Sequence, residues 1–200
     1  MNPPTPALPG RRRSLKWLGA LAVPGAASGW IAPAHAVVYL ERDQALRLLA
    51  PSGASVEAQP LPLSLDDESL RRIAEASGTR VPRGFSPACF VARTGGACAG
   101  WICFDQVIGK HELIDYAVGF DVAGAVTRIE ILVYRESHGA QIRNAAWRAQ
   151  FAGRAGPAAL RFGEDIRNVT GATLSCQHVT EGVRRLSALV NLVVARQDAR

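Results

Sequence analysis

Two threonines, a glycine and an alanine stand together in Asn168-Val169-Thr170-Gly171-Ala172-Thr173-Leu174-Ser175, directly before a long amphipathic segment. Glycine lets a backbone come close to a ligand, and free N–H groups at a helix start favour a phosphate. Thr173 then sets a hydroxyl where a phosphate is held. Backbone N–H groups of Ala172, Thr173 and Leu174 would bond that phosphate, and Thr170 and Ser175 add orienting hydroxyls. On spacing alone the stretch reads more readily as an ordinary helix start, with Thr170 or Thr173 as N-cap and Gly171 in the turn. Cys176 and His178 follow, but two ligands without further spacing do not make a metal site. A nucleophile among Thr173, Ser175 and Cys176, with His178 as base, lacks an Asp or Asn partner at recognisable spacing. His178 also falls five residues after Thr173, on another face of a helix. No catalytic acid–base pair is legible.

The elements that must position this motif read as α+β, an antiparallel sheet of three to five strands packed with helices. A short strand is expected at residues 37–40 and a short helix at 43–50, stopped by Pro51. Ser64-Leu65-Asp66-Asp67 resembles a helix start, and Gly78 its C-cap. Strands at 89–92 and 101–107 flank Thr94-Gly95-Gly96-Ala97, a hairpin turn. Residues 113–121 alternate, with Ile114, Tyr116, Val118 and Phe120 on one face. Residues 126–134 alternate too, with Ile129, Ile131 and Val133 opposite Arg128 and Glu130. These strands form a meander with one covered face. Helical character returns at 141–151, although Ile142, Ala146, Trp147 and Gln150 make no clean stripe. From Ser175 on, Val179, Val183, Leu186, Val190, Val193 and Val194 recur at steps of three and four, which marks a long C-terminal helix. Trp101 and Trp147 read as core residues.

The chain opens on a different pattern. Arg11-Arg12-Arg13-Ser14-Leu15-Lys16 precedes a mildly apolar run over 17–31, and Ala34-His35-Ala36 offers a small-x-small cleavage site. Residues 1–36 therefore read as a twin-arginine-like signal peptide, which implies a periplasmic protein. If uncleaved, the run would act as a membrane anchor, although it is weaker than the ~20 apolar residues of a span. Beyond it lie an N-terminal helical part, 37–84, and a second part, 85–200. The signal holds four of the 23 basic residues and no acidic ones, so most of the net charge of +6 leaves with it. No basic stripe interleaved with aromatics remains, so nucleic acid is not an expected partner. Of the four cysteines, Cys89–Cys98 or Cys98–Cys103 can pair in an oxidising compartment. The alternative is that all four, Cys176 included, are small buried hydrophobes.

The motif closely resembles the [Ser/Thr]-Gly-Ala-Thr-x-[Ser/Thr] signature of the FMN-binding domain family, which includes flavin-carrying subunits of the sodium-pumping NADH:quinone reductase and of Rnf-type complexes. Gly109-Lys110-His111 with Ile114, Tyr134-Arg135-Glu136-Ser137-His138-Gly139, and Gln150-Phe151-x-Gly153 extend the similarity to exported members, over about residues 98–190. The resemblance implies FMN esterified through its phosphate to Thr173. An exported flavin transferase would use FAD as donor and release AMP. It also implies that Thr170, Gly171, Ala172, Leu174 and Ser175 surround the anchor, with Glu136 and His138 near the flavin ring. The function it implies is a periplasmic electron carrier between membrane-associated redox partners, rather than a stand-alone oxidoreductase. The alternative is a flavin-free or reversibly flavin-binding accessory module of the same fold. Two positions depart from the family pattern. Arg167 stands where an Asp is common, with Asp165 two residues earlier, and Cys176 stands where a Ser is common.

Overall fold

The computed structural model describes residues 36–194, so all of the segment read as a signal except Ala36 lies outside the described residues. The strands are β1 (Val37–Val38), β2 (Ser55–Val56), β3 (Ala88–Thr94), β4 (Ala97–Ile108), β5 (Leu113–Phe120) and β6 (Val126–Tyr134). The α-helices are α1 (Arg42–Leu49), α2 (Asp67–Ser77), α3 (Ala145–Ala149) and α4 (Thr173–Leu189), and α4 continues into one π-helical stretch, Val190–Val194. The strands form one six-stranded sheet in the order β1-β6-β5-β4-β3-β2, antiparallel throughout. The class is α+β, with more strands than the sequence suggests. β1 falls within the short strand expected at 37–40, and the addition is β2; each is two residues long, one on either edge of the meander.

Local chemistry explains most boundaries. Asp66 caps α2 by accepting from the Ser69 N–H at 2.8 Å, and Gly78 ends it in the left-handed region at φ 60°. Gly95 and Gly96 both have positive φ and close the β3–β4 hairpin in two residues. The stretch expected as one helix over 141–151 divides instead. A 3-10 turn, Ala140–Arg143, ends at Asn144, whose side chain accepts from the Ala146 N–H at 2.8 Å and starts α3 afresh.

Both faces of the sheet are covered, where the meander suggested one. One face packs Cys89, Val91, Trp101, Tyr116, Val118 and Ile129 against α2 and α4. The other packs Phe90, Ile102, Phe104, Ala117 and Leu132 around Ala45 and Leu49 of α1. Cys89 and Cys103 are direct cross-strand partners and form a disulfide with Cα atoms 4.1 Å apart, which overturns both expected pairings. Strand register, rather than nearness in sequence, sets the pair. Cys98 lies outside that disulfide, near the turn.

A register shift opposite Asp115 and Tyr116 inserts one extra residue, Leu132, into β6. Side-chain parity flips there. Val133 therefore joins the α1 face rather than aligning with Ile129 and Ile131, and Tyr134 turns toward α4. Glu130, expected on a polar face, is buried between Arg128 and Arg148.

Candidate functional site

The bulge brings Tyr134 under the first turn of α4. Its hydroxyl donates to the His138 carbonyl oxygen at 2.6 Å. A phenol has one proton to give, so the Ser175 hydroxyl, 3.1 Å away, donates to the phenol oxygen. Burial, the leading cause, raises the Tyr134 pKa and keeps the phenol protonated. Gly139 completes the contact. A Cβ there would lie 2.4 Å from the Tyr134 hydroxyl and 3.4–3.5 Å from Gly171 and Ala172. The end of β6 and the threonine motif are thus packed backbone to backbone.

Within the motif, inward and outward residues divide cleanly. Ala172 and Ser175 are buried, while Thr170, Gly171, Thr173 and Leu174 are exposed. Gly171 has φ 84°, which a side-chain-bearing residue adopts only at a cost. The helix begins at Thr173, two residues earlier than the apolar stripe implies. Its N-cap is Ala172, not a threonine, and among the described residues no side chain caps it. The Ala172 N–H is spent on the Val169 carbonyl oxygen at 3.0 Å, so it cannot serve a phosphate as expected. The first-turn N–H groups that α4 itself leaves without a backbone partner begin at Thr173. The Thr173 Oγ1 accepts from the Asn168 side-chain amide at 3.1 Å.

Glu136 and His138 lie on the segment that touches the motif, in different settings. Glu136 Oε1 accepts from the backbone N–H groups of His111 at 2.6 Å and Glu112 at 2.9 Å, holding the β4–β5 turn. Burial acts to raise its pKa, but backbone hydrogen bonds from Glu112, His111 and Lys110 together outweigh it and lower the value. Gly109 permits this approach, since its Cβ would meet Glu136 Oε1 at 2.7 Å. His138 is exposed, with Nδ1 3.0 Å from Ser137 Oγ.

The residues behind the motif serve the fold. His178 Nδ1 lies 2.7 Å from the Ile108 carbonyl oxygen and 2.9 Å from that of Gly109, so that nitrogen carries a proton. Cys176 is fully buried, and desolvation pushes its thiol pKa up, toward an inert packing residue. Ser175 is engaged with Tyr134. None of these contacts builds a nucleophile–base pair. At the departure from the family pattern, the Gln150 amide straps the Arg167 backbone, accepting its N–H at 2.9 Å and donating to its carbonyl oxygen at 3.3 Å. The Arg167 side chain is exposed. Asp165 turns away to Arg161, accepting from its backbone N–H at 2.9 Å and its Nε at 3.2 Å. The group on Thr173 is therefore the amide of Asn168, not a carboxylate.

Tyr134, Asn168 and Gln150 stand in the motifs quoted above, but the sequence assigned none of them a part in the site. Asn168, five residues from Thr173, was within reach of a spacing argument. Tyr134 and Ser175 lie 41 positions apart and meet only through the bulge.

Fold and site together define a class, an α+β domain that presents an exposed hydroxyl at the uncapped start of its longest helix. Residues 109–188 match the model of the FMN-binding domain family, which supports an FMN-binding domain over that part of the chain. No curated protein matches the chain. The match takes in β5, β6, α3 and nearly all of α4, the elements that build the threonine site. The residues present suit FMN. Thr173 is exposed with its hydroxyl at the helix start, first-turn N–H groups are uncapped among the described residues, and a Cβ at Gly171 would come into ordinary contact with the Gln141 side chain at 3.7–3.9 Å.

Proposed function

We propose that this flavin-binding domain carries FMN covalently, through a phosphoester on Thr173, and works as an electron-transfer module. The observation that carries the proposal is the exposed Thr173 hydroxyl at the uncapped start of α4, held as an acceptor by Asn168. The Asn168 amide holds the Thr173 hydroxyl at the surface, where it can meet a phosphate presented from solvent. Thr173 Oγ1 forms the new bond to phosphorus, the pyrophosphate bond of FAD breaks, and AMP departs with the hydroxyl proton. The helix dipole would favour the resulting phosphate by about 0.3–1 kcal/mol. Thr170 and the N–H groups of Thr173, Leu174 and Ser175 would hold it. His138 and the Gly109–Glu112 turn, positioned by Glu136, would border the ring. Flavin supplies one- and two-electron transfer when bound.

Maturation then needs a flavin transferase, and turnover needs membrane-associated or periplasmic redox partners. The sequence features of residues 1–36 support a periplasmic location, where cytosolic NADH is not a direct donor. Arg167, in place of the common Asp, favours a second reading, a flavin-free or reversibly binding module. The test is visible absorbance after co-expression with an exported flavin transferase. Absorbance that stays with the denatured chain, and is lost in Thr173→Ala, supports the covalent reading. Absorbance released on denaturation supports reversible binding.

A further inference from the structure

Away from Thr173, the middle of α4 buries a charge that packing does not explain. Arg185 is 5% exposed. A guanidinium has five N–H donors and stays charged at any pH a protein meets. One donor reaches the Arg80 carbonyl oxygen at 3.3 Å, while Nε–H has no hydrogen-bond partner among the described residues. No carboxylate forms an ion pair with Arg185 among those residues. Asp105 is near enough to feel its charge, yet Asp105 Oδ2 is occupied by the Tyr116 hydroxyl at 2.8 Å. Desolvating a charge that makes no direct ion pair is costly, so a site that keeps one with a donor unpartnered is poised for an anion.

The shape around Arg185 fits a ligand. Arg185, Asp105 and Tyr116 line a cleft of about 1110 Å³ between loop 80–88, the end of β4 and α4. Small-molecule sites run to roughly 300–1,000 Å³. Phe85 and Val107 give it apolar wall. Gly182 is required for this arrangement, because a Cβ there would lie 2.2 Å from the Tyr116 hydroxyl. No residue of the 168–175 motif lines the cleft, and neither Glu136 nor His138 does. Ile108, Leu113 and His178 carry its lining up to the 109–112 turn, but Arg185 and Phe85 lie apart from the motif.

We propose that this cleft binds a small organic monocarboxylate with a flat apolar body, the carboxylate on the Arg185 guanidinium and the body against Phe85 and Val107. Two carboxylate oxygens match the guanidinium fork. The lining sets Arg42, Arg80, Arg83 and Arg185 against Glu41, Asp105, Asp115 and Glu181, so these charges balance and leave no excess of positive charge for a ligand of higher negative charge.

The test titrates the full chain with 1-naphthoate, and in parallel with uncharged 1-naphthalenemethanol, while backbone amide NMR shifts are followed. The expected result is saturable shifts at Phe85, Val107 and Arg185, binding at least about tenfold tighter for naphthoate than for the alcohol, and unchanged binding in Thr173→Ala. Arg185→Gln should lose the preference for the anion while keeping its circular dichroism. Equal binding of acid and alcohol, no saturable shifts, or shifts confined to residues 168–175 would each overturn the proposal. The wild-type comparison decides the matter even where Arg185→Gln fails to fold. The titration uses chain expressed without a flavin transferase, so its outcome and that of the flavin reading are separable.

Discussion

The first turn of α4 and the body of the same helix differ in almost every physical respect. Thr173 and Leu174 face solvent, and among the described residues no side chain caps the turn and the one side-chain partner of Thr173 is a neutral amide. Three residues on, Cys176, Val179, Val183 and Leu186 are wholly buried against the sheet. Ser175 marks the crossing point, with its hydroxyl spent inward on Tyr134. Two hydroxyls two positions apart thus have opposite roles, one holding the helix to β6 and the other available to chemistry. The helix body fixes where the first turn sits, and the first turn is left unfinished by the fold.

That separation can be broken from the inside. Gly182→Ala would set a Cβ 2.2 Å from the Tyr116 hydroxyl and 2.9 Å from Val107 Cγ1. Overpacking of this kind costs about 1–3 kcal/mol, partly offset by about 0.8–1 kcal/mol of helix propensity. A lower urea midpoint with flavin still loaded at Thr173 is expected. An unchanged midpoint would show that α4 is not pressed against β5 as described.

Ser175→Ala tests the crossing point. It removes one buried hydrogen bond, while Tyr134 keeps its bond to His138, so a loss of about 0.5–1.5 kcal/mol is expected. A larger loss of flavin loading than of stability would mean that Ser175 belongs with Thr173 rather than with the helix body.

The smallest effect concerns the turn beside the site. The Glu136 pKa is lowered in the folded chain, its backbone hydrogen bonds outweighing burial. A depressed carboxyl pKa gives stability that is present above the unfolded value, about 4.3, and is lost as pH falls through the folded value. Glu136→Gln should therefore flatten the acid limb of a stability–pH curve. An acid limb as steep as that of wild type would show that Glu136 does not hold the His111 and Glu112 N–H groups as a carboxylate.

Local signals carried much of this structure into the sequence. Gly95-Gly96, Asp66, Gly78 and the three-and-four spacing after Ser175 all act within one turn or one helix, and each element formed where they lie. What was hidden depends on register. The Cys89–Cys103 pair follows from which β3 residue faces which β4 residue. The extra residue at Leu132 exchanges Val133 for Tyr134 on the α4 face, and no periodicity shows that in advance. At the site, the Thr-Gly-Ala-Thr spacing was legible because it is contiguous. The grip of Glu136 on the 109–112 turn was not, because it spans two strands, and the Asn168 contact passed unread between two motif positions.

The central claim rests on Thr173, and the intact mass of the denatured chain tests it most directly. Wild type, Thr173→Ala and Thr170→Ala are each co-expressed with an exported flavin transferase and a substrate known to be modified. A mass gain of one FMN less water in wild type and Thr170→Ala, absent in Thr173→Ala, is the predicted result. An unmodified wild type beside a modified control, or a gain that survives in Thr173→Ala, would contradict it.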